Sequence, residues 1–446
     1  MKNFPVYLVV LIILFSACNG QNEEVGSIKV ISINVDGSNL NGNQIAVGLN
    51  PQLSIVFDGA VSKERFESAL EITVNDQTPE YNIAYSNSNS KVTLDLILEA
   101  NSTYDLTVES NNIGTDNQLL KEAIQLQLMT SESNLAACTS ASNPCLRQFE
   151  ITINNNSYTL SYFSNYPLTA DVNLENIKNA IFLIHGAIRN NDDYFNWMNQ
   201  TFENLSISNS TLLIAPQFKD ESEISQNSDL HWDRNDWREG SGSENDIPIS
   251  SFTVMDSIIS KTKQFIPSLE KILITGHSSG GLFTHVYGAA NQIENQLNSI
   301  AFEYIVANSQ YFYYPGDERV NENTQEFYIP ENCAGYRFWP LGYKVLPDYL
   351  IDINQASFNE QFINRKIHYL LGNGNQSDPS LNTSECGPVL LGSSRYQRGE
   401  NMFFYMQNKF PENNHFRTIV NGIGHNGEAM YKSEEFRNYI KNLFSN

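Results

Sequence analysis

From about Ile28 to Thr130, polar and apolar positions alternate in short runs, beginning with Ile28-Lys29-Val30-Ile31-Ser32-Ile33-Asn34-Val35. Leu53-Ser54-Ile55-Val56-Phe57, Glu71-Ile72-Thr73-Val74, Lys91 to Leu96, Tyr104 to Val108 and Ile124 to Leu128 continue the pattern. A period of two sends successive side chains to opposite faces of a strand, so these runs predict a small antiparallel sandwich. Pro51 stands just ahead of the second run, where its missing N–H breaks no ladder. The pattern then changes. Ser131 through Pro144 is small and polar, and beyond it apolar runs at Ala180 to Ile184, Thr211 to Ala215, Ile272 to Thr275, Phe302 to Val306 and Ile367 to Leu371 alternate with amphipathic helical segments. That order predicts a doubly wound α/β domain with helices over both faces of a mostly parallel sheet.

The N-terminus reads as an export signal. Lys2 precedes the apolar stretch Val6 to Phe15, which closes on Ser16-Ala17-Cys18 and is too short for a dependable membrane-spanning helix. The small residues before Cys18 resemble a bacterial lipoprotein signal, which implies cleavage before Cys18 and lipidation of that residue. Gln21-Asn22-Glu23-Glu24 resembles the acidic tether that directs some Bacteroidetes lipoproteins to the outer face of the outer membrane. The expected organisation is a signal peptide over 1–17, a tether over 18–27, a β-sandwich over 28–131, a linker over 132–148 and a catalytic domain over 149–446. The sandwich resembles the bacterial Ig-like domains of surface proteins, as a spacer or as a carbohydrate- or surface-binding module.

Composition narrows the function classes. Hydrophobic residues make up 41% of the 446, enough for a sizeable core. Lys+Arg 27 against Asp+Glu 50 leaves a net charge of -23, which opposes a phosphate backbone as partner, so no nucleic acid is expected. With Cys18 committed to lipid, Cys138, Cys145, Cys333 and Cys386 remain, an even number in an oxidising compartment. Cys138 and Cys145 bracket a small loop and can pair locally, leaving Cys333 and Cys386 to tie two loops of the main domain; three pairings are formally open. None of the four has a C-x₂-C partner or a histidine cluster nearby, so no metal site is expected. No phosphate-binding glycine loop with an associated lysine points to a nucleotide, and no cofactor is expected.

The chemistry centres on Gly276-His277-Ser278-Ser279-Gly280, entered from Lys271-Ile272-Leu273-Ile274-Thr275 and left through Gly281 into a helical pattern. This is the layout of a nucleophile elbow, a strand turning abruptly into a helix and lifting Ser278 above the sheet edge. The region from about 149 to 446 resembles the α/β-hydrolase family of serine esterases and lipases, whose serine motif fits Gly276, Ser278 and Gly280. A serine hydroxyl needs a neighbouring base. His425, in the glycine-rich loop Val420 to Gly427 near the chain's end, resembles the family's base, while His277 is expected to pack around the turn. The base needs an acidic partner. The family's aspartate position after Gly372 is Asn375 here, so Asp378 is the expected acid, with Asn375 or Glu385 as alternatives. Backbone amides of Ala187, in the family-like oxyanion loop His185-Gly186-Ala187, and of Ser279 are the expected oxyanion hole.

His185, Trp232 and Trp237 are candidate pocket residues, with Arg238 in the same loop, His231 to Gly240. The competing reading of that loop is an internally salt-bridged surface segment. Tyr311-Phe312-Tyr313-Tyr314 is a further aromatic segment, substrate-facing or core. These features point to hydrolysis of a small-molecule or polymeric carboxylic ester through an acyl-enzyme. A peptidase or amidase would use the same groups, and an inactive binding protein would follow if Asn375 marked a lost acid.

Overall fold

The computed structural model describes residues 26–35, 38–40, 44–75, 77–130, 137–169, 172 and 174–444. The expected signal peptide and Cys18 lie outside the described residues. The chain forms two compact units, Met1–Thr130 and Ser131–Asn446. No helix among the described residues is long and apolar enough to cross a membrane.

The first unit has a five-stranded sheet, built from Val30–Val35, Ser38–Asn39, Gln52–Phe57, Glu80–Ser86 and Lys91–Ile97, and a four-stranded sheet of Gln44–Val47, Leu70–Thr73, Thr103–Val108 and Ile124–Thr130. Ile55, Val92 and Leu94 of one sheet and Ile72, Leu106 and Leu128 of the other share a single buried core. A short helix, Lys63–Ala69, adds Phe66 to that core, edge-on to Phe57 at 6.0 Å. The expectation of purely antiparallel pairing needs correction. Gln44–Val47 runs parallel to Ile124–Thr130, and Ser27–Ile28 parallel to Leu119–Leu120. Alternation of polar and apolar positions assigns the faces of a strand but reads the same in either direction, so it carries no information on polarity.

The second unit is an eight-stranded sheet: β1 Leu146–Ile153, β2 Asn156–Ser164, β3 Asn179–Ile184, β4 Thr211–Pro216, β5 Lys271–His277, β6 Ala301–Ala307, β7 Ile367–Gly372 and β8 His415–Val420. The spatial order is β1-β2-β4-β3-β5-β6-β7-β8. Only β2 opposes its neighbours, and every pair from β4 to β8 is parallel. Strand order, direction and the serine turn together make an α/β-hydrolase-like fold. In β3, Ala180, Phe182 and Ile184 enter one core while Ile181 and Leu183 enter the core on the other face. Both faces are covered, which is why β3, β4 and β5 read as unbroken apolar runs. The disulfides join Cys138 to Cys145 and Cys333 to Cys386.

Candidate active site

Three loops at the carboxyl ends of β5, β7 and β8 supply the central groups. Between β5 and helix α1, Ser279–Ala290, residue Ser278 takes φ 61° and ψ -114°, a strained positive-φ conformation that costs a non-glycine residue about 1–3 kcal/mol. The flanking glycines permit it. A Cβ on Gly276 would lie 2.3 Å from the Gly280 carbonyl, and one on Gly280 would lie 2.3 Å from the Ile184 oxygen of β3. The turn is pinned by the Ser278 amide donating to the Ala307 carbonyl of β6 at 3.0 Å. Helix α1 is buried along its whole length. Ser278 itself remains partly exposed between the buried residues His277 and Ser279.

After β7 the chain reaches Asp378, and after β8 it reaches His425. His425 Nδ1 stands 3.3 Å from Asp378 Oδ2. The same carboxylate accepts from Ser380 N at 2.9 Å, from Ser380 Oγ at 2.6 Å and from the Arg395 guanidinium. Burial pushes the Asp378 carboxyl up, but the bonds from Ser380 and Arg395 and the Arg395 charge outweigh it and hold the carboxyl well below the usual carboxylate range. Burial, reinforced by the Arg395 charge, lowers His425 to about 4 against the pull of Asp378. The imidazole is therefore neutral at pH 7. Its Nε2 is buried and has no hydrogen-bond partner among the described residues. Asn375 and Glu385 are engaged elsewhere: Asn375 Oδ1 accepts from Ser377 N at 3.0 Å, and Glu385 from Asn382 Nδ2 at 3.0 Å.

The base ring is also stacked. His277 lies 4.9 Å from His425, centroid to centroid, with the planes 23° apart. His277 Nδ1 meets Tyr194 Oη at 3.3 Å, and burial with the nearby His425 holds it neutral, well below the ordinary histidine range. Of the expected oxyanion groups, the Ala187 and Ser279 amides donate no hydrogen bond among the described residues; Ser279 begins α1 and Ala187 is exposed. A helix N-terminus with free amides favours a developing negative charge.

The candidate pocket residues are placed differently from expectation. His185, Trp232 and Trp237 are all fully buried. His185 bonds the Gly186 carbonyl through Nδ1 at 2.8 Å and accepts the Phe218 amide through Nε2 at 3.0 Å, with the Trp237 ring tilted against it at 4.6 Å. Trp232 donates Nε1 to the Ser241 carbonyl at 3.1 Å. All three rings belong to the core beneath the His185–Ala187 turn, and Trp232 also lines, with His231, Asp233 and Arg234, a surface cavity of the same loop. Phe312, Tyr313 and Tyr314 are likewise buried, and Tyr311 alone of that segment is partly exposed.

Three residues around the acid escape sequence reasoning. Arg395 begins helix α2, Arg395–Lys409, and is buried. Asn308, just after β6, donates Nδ2 to the Gly424 carbonyl at 2.9 Å and accepts the Gly372 amide at 2.9 Å, knitting the β7 and β8 loops together. Ser380 is the third. Each is an ordinary polar residue in sequence, and only contact gives it a role.

Fold and site define a class: an α/β-hydrolase-like domain with a strained serine at the elbow and a histidine–aspartate pair on the adjoining loops. No protein-family model matches the chain, and no curated protein does. Among solved structures, a poly(3-hydroxybutyrate) depolymerase from Bordetella parapertussis is similar at 17% identity, TM-score 0.45, over 64% of this chain and 87% of that one. Poly(aspartic acid) hydrolase-1 from Sphingomonas sp. KT-1 is similar at 16% identity, TM-score 0.46, over 68% and 98%. A thermostable esterase is similar at 13% identity, TM-score 0.35, over 94% and 99%.

Proposed function

We propose that the chain is an exported serine hydrolase that cleaves carboxylic esters through an acyl-enzyme. The observation that carries the reading is the His425–Asp378 pair: a neutral imidazole held by an ionised carboxylate that also accepts from Ser380 and Arg395, with an Nε2 unpartnered among the described residues, on loops adjoining a strained serine. Ser278 Oγ attacks the ester carbonyl as His425 Nε2 takes its proton, and the resulting oxyanion is received by the Ala187 and Ser279 amides. Collapse breaks the carbonyl–alkoxy bond, and His425 returns the proton to the departing alcohol. Water then repeats the sequence on the acyl-serine, releasing the acid and restoring Ser278. Asp378 stays ionised throughout and stabilises the imidazolium.

Labelling with a fluorophosphonate followed by peptide mapping tests this, with the adduct expected on Ser278. An adduct on another serine, or unimpaired ester hydrolysis by Ser278→Ala, overturns it. Cys18 is the proposed lipid anchor of an outer-membrane protein facing outward, with the β-sandwich of residues 28–131 as an Ig-like spacer. The disulfides support an oxidising compartment. Mass spectrometry of the mature N-terminus should find acylated Cys18, and an unmodified terminus elsewhere defeats the anchor.

A further inference from the structure

Beside the serine elbow stands a cation that the hydrolytic scheme does not use. Arg238 lies in the short turn Asp236–Glu239, and its Nη1 reaches Ser279 Oγ, the side chain next to the proposed nucleophile, at 3.4 Å. Its guanidinium sits over the ring of Tyr311 at 5.0 Å, and Asn382 Nδ2 fixes the Tyr311 hydroxyl at 3.2 Å. Glu239 accepts from Nε at 3.1 Å, and Trp339 holds the Glu239 backbone by donating Nε1 to its carbonyl at 2.7 Å. The side chain is 11% exposed, yet Nη2 carries no hydrogen bond among the described residues.

This holds a guanidinium by its Nε edge and one face while the outer fork stays lightly used, with one long bond at Nη1 and none at Nη2. A structural arginine in this domain looks different. Arg189 spends its guanidinium on the carbonyls of Phe218, Trp232, Asp233 and Arg234. Arg398 likewise bonds the carbonyls of Gly392, Gln310 and Asn382. A planar fork with two adjacent donors matches a carboxylate, which it can grip bidentately. Resting on the esterase reading, we infer that Arg238 is a substrate-binding residue for a carboxylate carried by the ester, so the preferred substrates are anionic esters such as half-esters of dicarboxylic acids. Against a net charge of -23, which repels anionic substrates overall, the open fork of Arg238 offers them a local cationic contact even with its Nε paired to Glu239.

The test pairs mono-p-nitrophenyl esters of succinic, glutaric and adipic acids with the neutral butyrate, valerate and caproate esters. In the wild-type protein at least one half-ester should exceed its neutral counterpart in kcat/KM by about 10- to 100-fold, the worth of a charge-assisted hydrogen bond. In Arg238→Gln that ratio should collapse through KM, and Arg238→Lys should restore part of it as a point charge. Tryptophan fluorescence checks that the variants are folded. Free succinate should also inhibit neutral-ester hydrolysis by the wild-type protein more strongly than succinamide, a comparison needing no variant. A ratio that is the same in the wild type and in folded Arg238→Gln, or equal inhibition by succinate and succinamide, overturns the inference and leaves the esterase reading standing. Absence of both ester turnover and Ser278 labelling overturns the esterase reading itself.

Discussion

At Asp378 one carboxylate meets an imidazole, a serine hydroxyl, a backbone amide and a guanidinium. An amide in its place keeps the shape but loses the charge that fixes the tautomer of His425 and balances buried Arg395. Asp378→Asn should therefore lower kcat/KM by about 10³–10⁴-fold. Asn375→Ala should change it by no more than about twofold, because among the described residues the Asn375 side chain bonds the Ser377 amide alone. Steady-state kinetics on one soluble ester decides the point. A large loss from Asn375→Ala with a small one from Asp378→Asn would reverse the two assignments.

The β5–α1 turn stores backbone strain that its surroundings must overcome. Gly280 packs against the end of β3, with the Ile184 and His185 carbonyls 2.3 and 2.5 Å from where a Cβ would sit, and neither backbone group can move without dislodging the His185–Ala187 turn. Gly280→Ala should destabilise the second unit by at least about 3 kcal/mol, the upper range for overpacking a closed site. Trp197, Trp232, Trp237 and Trp339 are the chain's 4 tryptophans and all lie in that unit, so urea unfolding followed by tryptophan fluorescence reports on it directly. An unchanged midpoint would show that the elbow is looser than these contacts require.

Across the second unit, His185, His285, His368, His415 and His425 are lowered by burial to between about 3 and about 4, and His277 is lowered well below its ordinary 6.5. Folded values below unfolded ones mean that the unfolded chain binds more protons as the pH falls. The stability these six contribute is complete above about pH 6.5 and drains away as pH falls through 6.5 toward 4. Asp256, raised by burial to about 6, and Glu239 and Glu400, also raised by burial, act in the opposite sense but are fewer. The urea midpoint of the second unit should therefore fall steadily between pH 6.5 and 4.5. A midpoint that holds constant or rises over that interval contradicts the prediction.

Residue pattern alone determined what is local. Mostly apolar runs give β3 to β7 because strands covered on both faces have little polar side, and Gly276-x-Ser278-x-Gly280 marks its turn because Gly276 must meet Gly280 within five residues. Glu80–Ser86, a half-exposed edge strand with Tyr81, Ile83 and Tyr85 on one face, and the parallel pairing of Gln44–Val47 are not fixed by the residue pattern, since alternation at a sheet edge sets faces but not partner or direction. Only tertiary structure decided which side chain faces His425, that His185, Trp232 and Trp237 are core, and that Arg395, Asn308 and Ser380 surround the acid. Those outcomes depend on loops from β6, β7, β8 and the start of α2 meeting in space, and a contact between residues so distant in sequence leaves no period or spacing in the chain that makes it.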